Sequence, residues 1–517
     1  MPARFIRFSM LLAAFVSALY LGAQSTPAPS QAALGSFESQ SDVGSVSPPG
    51  KTTYDAATAT YTINSSGSNL WVREDDFHFV WKKVSGDMAL TADIAFPLTP
   101  ASASPHRKAL LMFRQTLDPD AVYADAALHG NGETALQYRG ARGDTTQDIE
   151  FNSGLPKALR LEKRGDTFTL FISRHGEPLH PAGASIKLHL DGPFYVGLGV
   201  CAHNKDAVER ATFANVQLTP LTPLGASAKL AQYSSLQTIA IDPNARVAKV
   251  VLTEPTRIEA PNWTRDGQSL IFTRDGRLWT VPAEGGEPRA IELGNLTKCG
   301  GSHGLSPDGK WLALTCSSLD DPQPRVYIVP SAGGTPRMLT QNPMSWFHSW
   351  SPDGKTIAFT RPSHGSGNIY AISANGGQET ALTTGSGISD DPDYSPDGRY
   401  IYFNSDRSGS MEIWRMHADG TQPEQVTFDG LNSWTPHPSP DGESILILSF
   451  GKGVTGHPTN RDVTLRILNA RDGKTRDLVK IVGGSGSDNV PDWSPDGKHF
   501  AFVAYQALPS NTTDSSQ

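Results

Sequence analysis

The 517-residue chain is poor in cysteine, in charge and in long apolar runs. Its three cysteines, Cys201, Cys299 and Cys316, lack the Cys-x-x-Cys spacing of a zinc site and are too few for a disulfide scaffold. Charged residues make up 19% and the net charge is −8, so nothing in the composition favours a nucleic-acid partner. We therefore predict roughly two or three domains that are held by hydrophobic cores.

The first residues have the pattern of an export signal. Arg4 and Arg7 precede the apolar stretch SMLLAAFVSALYLG, and a polar segment follows Ala23. This pattern predicts a secretory signal over residues 1–23. Leu21 is larger than the usual residue three before a cleavage site, so an uncleaved anchor is the alternative. No later apolar run approaches the roughly 18 residues of a membrane helix, and we predict a periplasmic or secreted protein without an integral span after signal removal.

One short motif recurs along the second half of the chain. SPDG occurs at Ser306, Ser351, Ser395, Ser439 and Ser494, and a divergent copy, TRDG, occurs at Thr264. The glycines of these six copies are spaced by 42 to 55 residues, which is the period of a repeat array. Proline fixes φ at the second position and glycine accepts the left-handed conformation, so each copy predicts a three-residue loop that closes a β-hairpin.

The segments around each turn predict four strands per repeat. Apolar strands such as WLALT, TIAFT and YIYFN follow the turns, and two further short strands complete each period. Four strands per repeat are typical of a propeller blade, which buries its faces only against its neighbours. The last unit lacks two strands, and residues 236–254 resemble the missing pair. We therefore predict six blades, with 236–254 pairing with the strand at 499–505 to close the ring.

The repeats, of the form xPxWSPDGKxIAFT followed by xIYxxxxxGGxxxxLT, resemble the PD40 (WD40-like) repeats of the TolB-like propellers over about residues 232–507. The predicted propeller domain is 233–507. Similar propellers also precede the catalytic domain of prolyl-oligopeptidase-like peptidases and form the body of oligogalacturonate lyases. No GxSxG motif occurs in the chain, which argues against a peptidase with a serine elbow.

The first half, residues 36–220, shows short alternating runs such as DMALTADIAF and TFTLFIS, which predict an antiparallel two-sheet sandwich. The stretches WVREDDFHFVWKKVSGDMALTADI and RKALLMFRQTLDPDAVYADAALHGNGETALQYR resemble DUF1349 domains of the concanavalin-like jelly-roll class. The resemblance implies an all-β jelly roll, and relatives in that class bind or cleave glycans. We predict a linker at 221–232 and a disordered tail at 508–517.

The strands that enter each blade predict a binding site at the mouth of the central channel. Tryptophans among carboxylates suit a sugar or a peptide, because aromatic faces pack on apolar patches while the acids accept hydrogen bonds. The alternative is that the aromatic side chains pack between blades. The candidate residues are Glu259, Trp346, Phe347, Asp390, Asp391, Trp434, Asp488 and Asn489.

Two histidines raise the possibility of a metal site. His303 and His348 each lie three residues before the turn serine of adjacent repeats, and the lyases that the propeller resembles use such a site. A third ligand, such as His437, is needed, and proline occupies this position in the other four repeats, which favours structural histidines. In the first half, a rim calcium site and solvated turns are the alternatives for Asp75, Asp76, Asp118 and Asp120.

Cys299 and Cys316 lie on either side of the turn at Ser306, and an exported protein can oxidise them. A three-residue loop places Ser306 opposite Lys310, which turns the two thiols to opposite faces of the hairpin. A bulge at Gly300 and Gly301 would bring them together. The sequence leaves both outcomes open.

Together these patterns predict an exported, non-catalytic binding or scaffolding protein without a cofactor. Its partner is an envelope protein or a glycan, and the jelly roll is a possible glycan module. The alternative is a polysaccharide-acting enzyme with its site at the propeller mouth. In the periplasmic TolB family a small α/β domain precedes the propeller, whereas here a β-rich segment takes that place.

Overall fold

The computed structural model describes residues 34–97, 103–151, 154, 156–174, 176–224, 230–242, 247–363, 366–385, 387–488 and 492–509. All regular elements in these ranges are β-strands. No helix in the described ranges is long and apolar enough to cross a membrane. The predicted signal over residues 1–23 lies outside these ranges.

The first half forms sixteen strands. They are β1 (Ser39–Val43), β2 (Lys51–Asp55), β3 (Thr60–Ser65), β4 (Leu70–Trp71), β5 (Glu74–Asp75), β6 (Phe77–Val84), β7 (Met88–Ala95), β8 (Lys108–Arg114), β9 (Tyr123–His129), β10 (Thr134–Arg139), β11 (Gln147–Phe151), β12 (Ala158–Arg164), β13 (Thr167–Ser173), β14 (His180–Lys187), β15 (Phe194–Cys201) and β16 (Glu209–Pro220).

Most of these strands lie in two sheets that pack face to face. One sheet has the order β1-β6-β15-β8-β9-β10-β11, and the other has the order β14-β13-β12-β7-β16-β3-β2. Alternate residues of each strand point to a shared core, to which Leu111 and Phe113 contribute from the first sheet and Leu161 and Phe213 from the second. We call this two-sheet unit the sandwich.

The second half begins with β17 (Leu230–Ala240) and β18 (Val247–Glu254). The strands that follow are β19 (Ile258–Trp263), β20 (Ser269–Arg274), β21 (Arg277–Pro282), β22 (Arg289–Ala290), β23 (Leu296–Thr297), β24 (His303–Leu305), β25 (Trp311–Ser318), β26 (Arg325–Pro330), β27 (Arg337–Met338), β28 (Trp346–Trp350), β29 (Thr356–Ser363), β30 (Ser366–Ser373), β31 (Thr380–Ala381), β32 (Ser389–Tyr394), β33 (Tyr400–Ser405), β34 (Glu412–His417), β35 (Glu424–Gln425), β36 (Asn432–Pro438), β37 (Ser444–Phe450), β38 (Arg461–Asn469), β39 (Thr475–Gly483) and β40 (His499–Pro509).

Strands β19 to β39 form five antiparallel sheets, one per repeat, and each is a blade of a β-propeller. In the second blade the inner strand is divided into β23 and β24, which both pair with β25. Each sheet packs on the next, as where Val326 of the second blade contacts the core around Phe347 and Ile357 of the third. Packing only against neighbours is the arrangement that the repeat period predicts.

The two ends of the propeller segment pair with each other. Strand β17 pairs with β40 along its whole length, from Leu230 opposite Pro509 to Ala240 opposite His499, and β17 also pairs with β18. The predicted pairing of 236–254 with 499–505 is therefore confirmed. The predicted linker (221–232) and tail (508–517) are each too long, because Leu230 and Pro509 already lie in strands.

These closing strands do not form a separate sheet. The free edge of β18 pairs in parallel with β11 of the sandwich, with Glu150 opposite Lys249, so one ten-stranded sheet joins the two halves. On one side of β17, Ile239 packs in the core of the fifth blade. On the other side, Leu236 packs with residues of the first blade such as Ile258. The closing strands thus fill the gap between the fifth and first blades.

The repeated turns are one residue longer than predicted. The amide of Ser306 donates to the carbonyl of Trp311 at 2.8 Å, so the loop between them has four residues and not three. Within the loop, the amide of Gly309 donates to the carbonyl of Ser306 at 2.9 Å. Asp308 Oδ1 accepts from the Ser306 hydroxyl at 2.6 Å and from the amide of Lys310 at 3.1 Å. Gly309 has φ of 70°, the left-handed conformation that the motif requires.

The turns also contact one another in sequence around the ring. A Cβ on the glycine of one turn would lie within 3.8 Å of the proline of the preceding turn, and Pro495 of the last turn contacts Gly267 of the first in this way. Arg265 replaces proline in the divergent copy and donates to the carbonyl of Leu305 at 2.7 Å. The proline–glycine pairs are Pro307–Gly354, Pro352–Gly398, Pro396–Gly442, Pro440–Gly497 and Pro495–Gly267.

Cys299 and Cys316 form a disulfide, with their Cα atoms 4.0 Å apart. Thr297 lies opposite Ser317, and His303 lies opposite Leu314. Five residues on the inner strand, 298–302, therefore face two on β25, and this irregularity includes the Gly300–Gly301 pair. The extra residues bring the two thiols to the same face of the hairpin.

Candidate functional site at the propeller channel

The inner strands of the blades share a local irregularity that shapes the channel. In β19, β32 and β36 the register with the next strand shifts at a β-bulge. The bulge residues Ala260, Asp391 and Thr435 have left-handed φ values of 55°, 49° and 52°, and a proline follows each of them. Proline cannot donate to the ladder, so it suits a bulge, and a bulge redirects the side chains beside it.

Inner strands of adjacent blades bring His348, Asp390 and Asp391 together. His348 Nδ1 lies 3.3 Å from Asp391 Oδ1, and His348 Nε2 lies 3.4 Å from Asp390 Oδ1 and 2.9 Å from the Thr360 hydroxyl. His348 and Asp391 are buried, whereas the Asp390 side chain is 35% exposed. The three side chains offer ligand atoms within 4.8 Å of one another, so they are close enough to share a cation.

A second group lies against the first. His437 Nδ1 is 3.1 Å from Asp393 Oδ2, and its Nε2 is 2.7 Å from the Asp488 carbonyl oxygen. The Thr435 hydroxyl donates to Asp488 Oδ2 at 3.0 Å. Asp492 is fully buried nearby, and its charge acts on His437. We call the two groups together the channel cluster: His348, Asp390, Asp391, Asp393, His437, Asp488 and Asp492.

The channel cluster holds more acid than the described structure neutralises. Burial, together with the charge of Asp390, raises the pKa of Asp391 well above its usual range, and burial raises the pKa of Asp488 to about 7. Burial opposes protonation of His437, but the hydrogen bond to Asp393 and the nearby aspartates raise its pKa to about 10. Asp391, Asp488 and Asp492 each have a buried carboxylate oxygen without a hydrogen-bond partner among the described residues.

The other predicted site residues lie around this cluster or outside it. Glu259 pairs with Arg257, whose guanidinium lies over the Tyr505 ring at 4.6 Å. His303 is fully buried, and burial lowers its pKa to about 4. Trp346 is half-buried at the start of β28. Asn489 lies outside the described residues.

Comparison with known proteins agrees with the repeat pattern. A family model described as a TolB beta propeller domain, PD40, matches residues 302–464. An uncharacterised protein of Agrobacterium fabrum, Atu1656, is 39% identical over 261 residues, which is 50% of this chain and 89% of that protein. A solved structure of a candidate TolB from Agrobacterium tumefaciens, also 39% identical, aligns with a TM-score of 0.51 over 54% of this chain and 99% of its own.

The chain belongs to the TolB-like β-propeller family. The Tol-Pal system protein TolB of Francisella tularensis is 27% identical over 162 residues, which is 31% of this chain and 37% of that protein. These matches concern the propeller half of the chain.

Within this TolB-like propeller, the prediction of an exposed tryptophan at the rim is wrong for Trp434. Its side chain is 4% exposed and stacks on His457 at a ring distance of 4.8 Å. Its Nε1 donates to Asn432 Oδ1 at 2.9 Å, so it packs in the fifth blade. Blade packing, the alternative for these aromatic side chains, describes Trp434.

The histidines that were considered as metal ligands, and for which a structural role was favoured, are not the group that the structure brings together. His348 meets Asp390 and Asp391, and not His303 and His437. His437 already uses both ring nitrogens in contacts with Asp393 and the Asp488 carbonyl. The aspartates of the TolB-like propeller, rather than aligned histidines, supply the nearby ligand atoms.

The calcium site considered at the sandwich rim does not form among the described residues. Asp75 is fully buried in an ion pair with Arg139 at 2.7 Å. Asp118 and Asp120 both pair with Arg142, at 3.3 Å and 2.9 Å. Arginines therefore already pair with three of the four candidate aspartates, namely Asp75, Asp118 and Asp120. The fourth candidate is Asp76.

Sequence reasoning missed Asp393 and Asp492 as channel residues. Both lie two residues before the turn serine of their repeat. The sequence could have indicated these two residues, because five of the six repeats of this TolB-like propeller carry a polar residue at that position. The six residues are Asn262, Gly304, Ser349, Asp393, His437 and Asp492.

Proposed function

We propose that the protein is an exported, non-catalytic binding protein whose channel mouth receives a positively charged segment of an envelope protein. The observation that carries this proposal is the uncompensated acid of the channel cluster. Asp391, Asp488 and Asp492 keep buried oxygens without partners among the described residues, and such groups are costly unless something pairs with them. A cationic group entering the channel would supply that pairing.

Asp390 gives the cluster its contact with solvent. Its carboxylate is 35% exposed and lies beside buried Asp391, so an incoming lysine or arginine meets Asp390 first. His437 is charged at neutral pH but already pairs with Asp393, so it does not neutralise Asp390. A charged segment is favoured over a neutral sugar because the unpaired groups here are acids and the rim residue Trp434 is buried.

The wider architecture is part of the proposal. The closing strands β40, β17 and β18 act as the sixth blade of the propeller, because they fill the gap between the fifth and first blades. The sandwich is a concanavalin-like jelly roll, and glycan binding is its proposed role. The family name TolB and the predicted signal over residues 1–23 support a periplasmic location and an envelope partner.

Site-specific photocrosslinking to solubilised cell-envelope proteins tests this proposal. Met344, at the mouth just before β28, and Met338, in the outer strand β27, are 40% and 41% exposed, so they form a matched pair of positions for a photoreactive amino acid. We expect a discrete crosslinked product from position 344 that is absent from position 338. Equal products from both positions would contradict a binding face at the mouth.

A charge-matched pair of variants tests the chemistry. Asp390→Asn should weaken capture of the crosslinked partner by at least about 10-fold, since a desolvated charge pair contributes 2 kcal/mol or more. Asp472→Asn, in the exposed turn after β38 on the opposite side of the propeller, removes the same charge and should leave capture unchanged. A partner that binds Asp390→Asn normally would show that the channel acids are not the site.

The close group of His348, Asp390 and Asp391 favours one second candidate, a metal-assisted polysaccharide-cleaving enzyme. Incubation of the full chain with polygalacturonate and Mn²⁺ or Ca²⁺ tests it through the absorbance of unsaturated products. Turnover that is lost in His348→Ala would favour the enzyme over the binding protein. Absence of turnover with either ion would leave the binding protein as the better account.

A further inference from the structure

The face of the first sheet that points away from the sandwich core carries a second group of carboxylates. Glu133, Asp148 and Glu150 offer oxygen atoms within 4.8 Å of one another, and we call them the sandwich acidic cluster. Asp148 and Glu150 alternate along β11 with Ile149 and Phe151, which pack in the sandwich core. The acids therefore point away from that core.

Buried polar atoms without partners point into this cluster. The Gln137 amide donates to Asp148 Oδ2 at 3.3 Å, but its own Oε1 has no partner among the described residues, although Gln137 is fully buried. Asp148 is 4% exposed and its Oδ1 is also without a partner in the described structure. Asp125 lies directly opposite Gln137 on β9 and is fully buried. Neither of its carboxylate oxygens has a hydrogen-bond partner among the described residues.

The charges nearby balance these acids only in part, since the Lys108 charge lowers the pKa of Asp148 against the larger effect of burial, and the hydrogen bond to His129 lowers the pKa of Glu133 to about 2. Lys108 donates to the carbonyl of Leu70 at 2.7 Å, and Lys249, opposite Glu150 on β18, pairs with Glu284. His129 contacts Glu133 at 3.2 Å, but burial lowers its pKa, so it is neutral near pH 7. Burial and the charges of neighbouring acids raise the pKa of Glu150 to about 8, as expected for carboxylates crowded without a cation.

We propose that the sandwich acidic cluster is a calcium site, with Glu133, Asp148 and Glu150 as carboxylate ligands and Gln137 Oε1 as a carbonyl ligand. All four donors are oxygens, which hard cations prefer, and Ca²⁺ accepts irregular sets of six to eight ligands that include water. The Glu133 side chain is 28% exposed, so the site is open to solvent on one side. The proposal goes beyond the propeller function and does not depend on it.

Calcium titration of the chelator-treated full chain, followed by thermal unfolding and calorimetry, tests the site. Wild-type protein should gain roughly 3 °C in melting temperature when calcium reaches about 100 times Kd. Asp148→Asn and Glu150→Gln should lower calcium affinity at least 10-fold while melting no lower than wild type in chelator, because each relieves the crowding of carboxylates in the cluster. Asp120→Asn, which removes a partly exposed carboxylate paired with Arg142, should keep the calcium response.

Three outcomes would overturn the proposal. The first is wild-type protein without a calcium-dependent shift. The second is an unchanged shift in both Asp148→Asn and Glu150→Gln. The third is loss of the shift in Asp390→Asn with retention in Asp148→Asn, which would place the ion in the channel cluster instead.

Discussion

His437 shows how one side chain organises the channel. Its ring contacts Asp393 at 3.1 Å and the Asp488 carbonyl oxygen at 2.7 Å, and the charge of Asp492 acts on it. Burial, together with the charge of His437, lowers the pKa of neighbouring His348 to about 4. Because His437 is a buried cation among buried acids, its removal leaves charge without compensation.

We expect His437→Gln to lower the free energy of unfolding by about 3 kcal/mol at pH 6.5, measured by urea denaturation. The folded-state pKa of His437 is raised to about 10 from 6.5, so its stabilisation is complete below pH 6.5 and is lost as pH rises toward 10. The melting temperature of wild-type protein should therefore fall between pH 6.5 and 9.5 more than that of the variant. Equal falls would contradict a charged His437.

At the scale of elements, the SPDG motif predicted much of the fold and little of the site. The period fixed the number of hairpins, because proline and glycine constrain the backbone at each turn independently of the rest of the molecule. The loop length was missed by one residue, since the Lys310 amide donates to the Asp308 carboxylate and the Trp311 amide donates to the Ser306 hydroxyl, which adds Lys310 to the loop. The channel cluster depends on contacts between residues far apart in the chain, such as His437 with Asp393, 44 residues apart, and Asp488 with Thr435, 53 residues apart, which no local pattern contains.

At residues 298–302 the residue types indicated that a bulge could form, but the strand register, on which the disulfide depends, could not be predicted. Two adjacent glycines allowed a bulge, but the sequence did not decide between bonded and free thiols. The structure has a disulfide there and a single free cysteine, buried Cys201, among the described residues.

The disulfide should stabilise the second blade. The double variant Cys299→Ala and Cys316→Ala is expected to lose about 3 kcal/mol of unfolding free energy, because the bond closes a loop with a sequence separation of 17. Thiol counting on denatured, unreduced wild-type protein should find one free thiol. Three free thiols would show that the bond does not form in the isolated protein.

At the scale of the whole molecule, the sandwich and propeller share one sheet. Strand β11 pairs in parallel with β18 over four residue pairs, and β18 continues through β17 to the last strand, β40. The strand alternation predicted two separate β-domains, but it could not predict that the edge strand of one would extend the sheet of the other. Edge strands pair with whichever open edge lies beside them, and that is a matter of tertiary geometry.

This continuity predicts cooperative unfolding. We expect a single calorimetric transition for the full chain, with the van't Hoff enthalpy equal to the calorimetric enthalpy, because unfolding either half exposes an edge of the other. Two resolved transitions would show that the β11–β18 ladder couples the halves only weakly. Hydrogen exchange at the amides of 148–151 and 247–250 would then be fast compared with the rest of β17 and β40.

The parallel ladder between β11 and β18 also has a mechanical meaning. A pull applied between the two halves along these strands loads the backbone hydrogen bonds of Asp148–Phe151 and Val247–Val250 together, in shear, rather than one at a time. Behind them lie eleven residue pairs between β17 and β40, from Leu230–Pro509 to Ala240–His499. Tension between the two halves would thus pass through a stiff sheet and not through a slack connection.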